Sequence, residues 1–207
     1  GTVLWKTPIK QFIKNRPIRY GYKIWCPNSP SGYLIQFEPY QGAGTVTIQH
    51  ALAMGGSVVM DLLKELPAKP YHVFFDNLFS SLPLFGELRA IGMSGTGTLR
   101  QNRVQKCPVS DVAVMKKQAR GTVDFRCDTN AGIIITRWND NSVVSLGSTY
   151  VGVAPKGQLS RWSKSERNII QIPIPNNIAM YNQNMGGTDR MDENIAYYQP
   201  NIRIRKW

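Results

Sequence analysis

The sequence predicts an α/β protein: a core on a mixed central sheet, interrupted by a small β-rich insertion and completed by helices near the C-terminus. Three observations carry that prediction. The run Val73-Phe74-Phe75 is continuously apolar and stops at Asp76-Asn77, as a strand covered on both faces does. Helix-spaced apolar residues and a second strand-like run follow it directly, which makes a strand–helix–strand unit. Further along, Val123-Asp124-Phe125-Arg126-Cys127, Ile133 to Trp138 and Val143 to Leu146 are separated by Asn, Asp and Gly turns, the pattern of a β-meander.

Taken in order, Tyr20 to Trp25 and Tyr33 to Glu38 read as two strands of a hairpin around Pro27-Asn28-Ser29-Pro30-Ser31-Gly32. Ser57 precedes Val58, Val59, Leu62, Leu63 and Leu66, so it is expected to cap a first helix that Pro67 halts. Ser81 is expected to cap a second helix carrying Leu84, Phe85, Leu88 and Ile91, closed by Gly92. Met93 to Leu99 is the next strand, and a strand–helix–strand order implies a right-handed crossover with a largely parallel centre. Helical spacing returns only after Pro173 and Pro175, with Ile178, Met180 and Tyr181. The expected segments are therefore a lead-in over 1–15, a first core part over 16–102, the β-rich insertion over 103–172, and returning helices over 173–207.

A hydrophobic fraction of 42% over 207 residues suffices for one good core, or one core with an insertion, and argues against disorder. No apolar run approaches the roughly 20 residues that span a bilayer, so no membrane partner is expected. The first residues lack the succession of a signal peptide. Cys26, Cys107 and Cys127, with His50 and His72, show no zinc-ligand spacing, and three ordinary thiols in a reducing compartment are expected. The chain begins at Gly1 and stops after a basic run, like a piece of something longer.

The formal charge of +12 raises the local anion concentration and favours nucleic-acid backbones, where each neutralised phosphate releases counterion. The basic residues come in clusters. Lys6, Lys10, Lys14, Arg16 and Arg19 lie early, Lys116, Lys117 and Arg120 in the middle, Arg161, Lys164 and Arg167 later, and Arg203, Arg205 and Lys206 at the end. The last two groups are the candidate phosphate contacts on double-stranded DNA. Trp138, Tyr150, Trp162 and Trp207 are packing residues by default that could also stack on exposed bases.

Two acids stand out. Asp76 ends a buried strand, where open α/β sheets place ligands and catalytic groups. Asp189 follows Gly186-Gly187 at the start of an amphipathic stretch, hence at a helix N-terminus, with Asp192 one turn on. Either acid alone is equally at home as a turn former or helix cap. Together they suit a shared Mg2+ (or Mn2+) site for phosphoryl transfer.

Arg16-Pro17-Ile18-Arg19-Tyr20-Gly21-Tyr22-Lys23-Ile24-Trp25, Gly32-Tyr33, Tyr40-Gln41-Gly42, Phe75-Asp76-Asn77-Leu78-Phe79-Ser80-Ser81, Gly95-Thr96-Gly97-Thr98-Leu99-Arg100 and Met185-Gly186-Gly187-Thr188-Asp189-Arg190-Met191-Asp192 occur in that order. In order and spacing they resemble the transposase domain of piggyBac transposable element-derived proteins, from about residue 10 to 207. The resemblance implies a ribonuclease H-like fold with an insertion domain, a metal site of three aspartates, cut-and-paste DNA transposition in active members, a nuclear location and a homodimer. It implies no small-molecule cofactor beyond the divalent metal.

Carried over by position, Asp76 matches the second catalytic aspartate and Asp189 the third, with Asp192 accessory. The first falls in the turn Cys26-Pro27-Asn28-Ser29, where Asn28 stands and no carboxylate does. An amide in that place removes one charge and one strong hard-oxygen ligand. Glu38 on the adjacent strand reads as an outward-facing polar residue. The sequence is thus closer to domesticated members than to a working transposase. Three functions follow: a transposase-derived DNA-binding domain with impaired cleavage, a fully active Mg-dependent transposase, or a non-catalytic interaction domain.

Overall fold

The computed structural model describes residues 10–12, 14, 19–42, 52–104 and 106–198. Its elements, in chain order, begin with β1 (Lys10–Phe12), β2 (Tyr20–Tyr22), β3 (Ile24–Trp25), β4 (Glu38–Pro39), α1 (Met54–Lys64), β5 (His72–Phe75), α2 (Leu82–Ala90) and β6 (Ser94–Thr98). They continue with α3 (Val112–Met115), β7 (Val123–Asp128), β8 (Ile133–Asn139), β9 (Val143–Ser148), β10 (Gly157–Ser163), β11 (Asn168–Ile174), α4 (Asn176–Asn184) and α5 (Gly187–Tyr198). The described residues of Gly1–Thr47 and Met185–Trp207 form one compact unit, and those of Ile48–Asn184 form the other.

In the first unit, the expected hairpin pairs Ile24 with Pro39 and Trp25 with Glu38, and continues through a bridge between Asn28 and Leu34. Its turn is closed by the Ser29 amide donating to the Tyr33 carbonyl at 2.9 Å and the Gly32 amide to the Ser29 carbonyl at 3.0 Å. β2 pairs instead with β1, Lys10 opposite Tyr22. α5 belongs to this unit and carries Asp189 in its first turn.

The second unit holds a mixed five-stranded sheet in the order β5-β6-β9-β8-β7. β5 and β6 are parallel, Val73 opposite Gly95, with α2 between them in sequence. The remaining neighbours are antiparallel. The meander of residues 123–148 joins the sheet of β5 and β6, because β9 hydrogen-bonds to both β6 and β8. Ser81 caps α2 as the sequence implies, its Oγ accepting from the Leu84 amide at 3.3 Å. Leu84, Phe85 and Leu88 on that helix are fully buried beside Phe75, Met93, Leu99 and Ile135. Gly95 and Gly97 lie on the packed face of β6: a Cβ on Gly97 would come within 2.5 Å of Phe75 Cδ2 and Ser80 Oγ. The alternation Ser-Gly-Thr-Gly-Thr therefore seats the aromatic ring on one face and turns Thr96 and Thr98 to the other.

One helix start differs from expectation. Ser57 does not cap α1, which begins three residues earlier at Met54 after Ala53. Ser57 is buried inside the first turns, and its Oγ donates back to the Leu52 carbonyl at 3.3 Å. The hairpin of β10 and β11, Gly157 opposite Ile174 through Ser163 opposite Asn168, is additional to the strands read from the sequence. Its inner face supplies Ile172 and Ile174 to a second core cluster with Trp138, Leu146 and Ile178 of α4.

Candidate active site

Asp76 leaves the C-terminal end of β5 with an exposed carboxylate. Its Oδ1 accepts from the Asn77 amide at 2.6 Å and from Thr98 Oγ1 at 3.2 Å. The second contact follows from the register, since Phe75 pairs with Gly97 in the parallel ladder and the next residue on each strand comes into reach. Thr98 Oγ1 also lies 3.5 Å from the Tyr181 hydroxyl of α4. The Tyr181 phenol is pushed above its ordinary pKa, chiefly by burial, with its hydrogen bond to Thr98 acting against the shift and the negative charge of Asp76 adding to it. The phenol therefore stays protonated near neutral pH and is a donor beside the carboxylate.

The loop after Asp76 is held from below by arginine. Arg103 donates to the carbonyls of Asn77, Leu78 and Ser80 at 2.8, 3.2 and 2.9 Å, and Arg100 Nε donates to Asn77 Oδ1 at 3.0 Å. The Phe79 and Ser80 amides close the turn on the Asp76 carbonyl at 3.0 and 3.2 Å. Asp76 thus sits on a positioned loop, and its Oδ2 takes no hydrogen bond among the described residues.

In the other unit, the turn at Asn28 and the start of α5 meet. Asn28 Nδ2 donates to Thr188 Oγ1 at 2.9 Å across 160 positions of sequence. Arg190 donates to the Pro30 carbonyl, a second tie between the same turn and the same helix. Gly187 makes the approach possible: a Cβ there would lie far inside contact distance of the Ser29 carbonyl oxygen, and 3.3 Å from Asn28 Cβ. The position expected to hold the first acid is therefore beside the residue preceding Asp189. Asn28 Oδ1 is buried without a hydrogen-bond partner among the described residues. Asp189 and Asp192 are both exposed on α5.

Of the candidate phosphate contacts, Lys164 and Arg167 are exposed at the tip of the β10–β11 hairpin. Arg161 is on the inner side of that hairpin, its Nε donating to Asp140 Oδ2 at 3.0 Å, while Arg120 binds Asp140 Oδ1 at 2.7 Å through its own Nε. One carboxylate is shared by two guanidinium groups. Arg203, Arg205 and Lys206 lie outside the described residues, as do Lys6, Arg16 and His50. Sequence reasoning missed Thr98, Tyr181, Arg103 and Thr188. The parallel register could have found Thr98, and no local signal points to the other three.

The family model described as Transposase IS4 matches residues 1–207, the whole chain. This chain belongs to the piggyBac-type transposase family. It is 42% identical over 201 residues to human PiggyBac transposable element-derived protein 3, covering 96% of this chain and 34% of that protein. Similarity to human PiggyBac transposable element-derived protein 2 is 41% over the same share of each. The human Chimeric ERCC6-PGBD3 protein is 42% identical over 96% of this chain and 19% of its own length. The piggyBac-type domain thus spans about a third of the first two relatives. Its fold is similar to a piggyBac transposase solved by cryo-EM as a synaptic complex with hairpin DNA: the TM-score is 0.68, at 25% identity over 91% of this chain and 37% of that one.

A divalent metal is the family's usual cofactor, and the donors in this piggyBac-type domain are hard oxygens. Asn28 Oδ1 is buried and unpartnered, the Asp76 Oδ2 is available, and Asp189 is exposed in the first turn of its helix. Among the described residues no cluster of three His, Cys, Asp or Glu side chains occurs. Mg2+ takes one or two carboxylates and keeps several waters, so oxygen donors of this kind suit such a cation.

Proposed function

We propose that this chain is a transposase-derived domain that binds double-stranded DNA, and that its ancestral cut-and-paste strand cleavage and transfer is impaired. The observation that carries the reading is Asn28, bonded to Thr188 at 2.9 Å beside Asp189, where a third carboxylate is expected. In this reading Asp76 and Asp189 would hold Mg2+ (or Mn2+), with Asp192 accessory and Asn28 standing where the remaining ligand is lost. When bound, such a cation polarises the phosphodiester and lowers the pKa of its water.

The chain's own residues do the positioning. Thr98 fixes Asp76 Oδ1, leaving Oδ2 for a ligand, and Arg103 keeps the supporting loop from collapsing. Asn28 is neutral where the resemblance implies an acid, so a second cation lacks an anchor and the attacking and leaving oxygens of an in-line displacement cannot both be stabilised. The finer architecture in this reading is a ribonuclease H-like core over 16–102 and 173–207 with an insertion over 103–172, acting as a homodimer in the nucleus. Duplex DNA as partner is supported by the formal charge of +12 and by the similarity to a transposase solved with DNA.

Two measurements test this. Affinity for duplex DNA should fall steeply with salt, with little sequence preference, and neutralising the exposed Lys164 and Arg167 together should flatten the slope, Arg161 being held by Asp140. With Mg2+ or Mn2+, strand cleavage should stay at background. No DNA binding at low salt would make the charge a solubility feature and favour an interaction domain. Robust metal-dependent cleavage, abolished by Asp76→Ala, would favour the active transposase.

A further inference from the structure

The β10–β11 hairpin has an outer face with no role in the core. Strand alternation sends Leu159, Ile170, Ile172 and Ile174 inward and leaves Trp162 and its cross-strand partner Ile169 outside, 59% and 60% exposed. Directly opposed residues share a face, so the indole and the Ile169 side chain form one apolar platform. An exposed Trp costs solvation, and here it is also held in place. Arg120 donates to the Trp162 carbonyl at 3.2 Å while bound to Asp140, and Arg161 binds the other oxygen of the same Asp140.

The tip next to the platform is rigid and basic. Ser163 Oγ and Ser165 Oγ are 3.0 Å apart, and the Glu166 amide donates to Ser163 Oγ at 3.3 Å. Arg167 has φ +49, a left-handed backbone that a side-chain-bearing residue adopts at a cost of about 1 kcal/mol or more. At the tip beside the platform Lys164 and Arg167 are exposed against the single acid Glu166, a net positive edge, while Arg120 and Arg161 are neutralised by Asp140.

We propose that Trp162 with Ile169 is a stacking platform for an unpaired nucleobase, with Lys164 and Arg167 taking the adjoining phosphates. A π-face accepts any base, so the platform adds affinity for single-stranded DNA without sequence choice. Charge complementarity selects this occupant over a neutral peptide. The proposal rests on the DNA-binding reading above and adds a second, single-stranded subsite to it.

The test compares a blunt duplex with the same duplex carrying a short single-stranded overhang, by fluorescence anisotropy on the whole chain. The native protein and Trp162→Phe should bind the overhang about tenfold more tightly than the blunt duplex, and Trp162→Ala should lose that preference while binding blunt duplex as before. An overhang preference that survives Trp162→Ala, or no preference in the native protein, overturns the platform while leaving duplex binding intact. Loss of all DNA binding in the native protein overturns both readings. Tighter binding of an acidic peptide than of single-stranded DNA, abolished by Trp162→Ala, assigns the face to a protein instead.

Discussion

Replacing Gly187 with Ala should separate the two parts of the site that meet in the first unit. The new Cβ would stand 3.2 Å from the Ser29 carbonyl carbon and far closer to its oxygen, so the backbone of the turn or the start of α5 must yield by the better part of an ångström. Backbone cannot rotate away as a side-chain end can, and overpacking of this kind costs about 1–3 kcal/mol. The displacement also removes the Asn28–Thr188 hydrogen bond, worth about 1 kcal/mol. The total is on the order of 2–4 kcal/mol. Gly186 is the internal control, because a Cβ there meets nothing within 4 Å. Gly186→Ala should cost no more than about 1 kcal/mol, since Gly186 precedes α5 as its cap and alanine is only a poorer cap there. Urea unfolding followed by tyrosine and tryptophan fluorescence reads both variants. Equal midpoints for the two would refute the close approach of α5 to the Asn28 turn.

Arg103→Ala should cost about 1.5–3 kcal/mol, because it removes a charged donor from three loop carbonyls; hydrogen exchange should show faster amides at Phe79 and Ser80. His72 donates or accepts at Thr96 Oγ1, 2.9 Å away, and burial lowers its pKa from 6.5 to about 4. The unfolded chain then binds the proton first, so this residue's contribution to stability is present above about 6.5 and is lost as pH falls toward 4. In His72→Gln that stretch of the pH–stability curve should flatten, as thermal unfolding across the range would show.

The strand–helix–strand unit was legible because its signals were local. A continuous apolar run, a serine cap and a closing glycine each do what their chemistry dictates at Val73–Phe75, Ser81 and Gly92. The start of α1 was not legible, since Gly55 and Gly56 oppose a helix by propensity. They are helical because close packing requires them small: a Cβ on Gly55 would lie 2.7 Å from the Leu78 carbonyl oxygen. The β10–β11 hairpin was obscured by Pro173, which argues against a strand yet pairs with Gln158, and by polar residues on its outer face. At the site, Asp76 was readable as a strand-end acid. The meeting of Asn28 with Thr188 was not, because no local pattern links positions 160 apart; only the family resemblance pointed there.

Isothermal calorimetry with Mn2+ on the native chain and on Asn28→Asp bears most directly on the claim that a missing first acid limits this domain. A carboxylate beside Thr188 restores one charge and one hard-oxygen ligand next to Asp189. The account predicts weak binding of a single cation to the native chain, and tightening by about tenfold, or about 1.4 kcal/mol, in Asn28→Asp. Tight binding of two cations by the native protein, with no gain in Asn28→Asp, would contradict it.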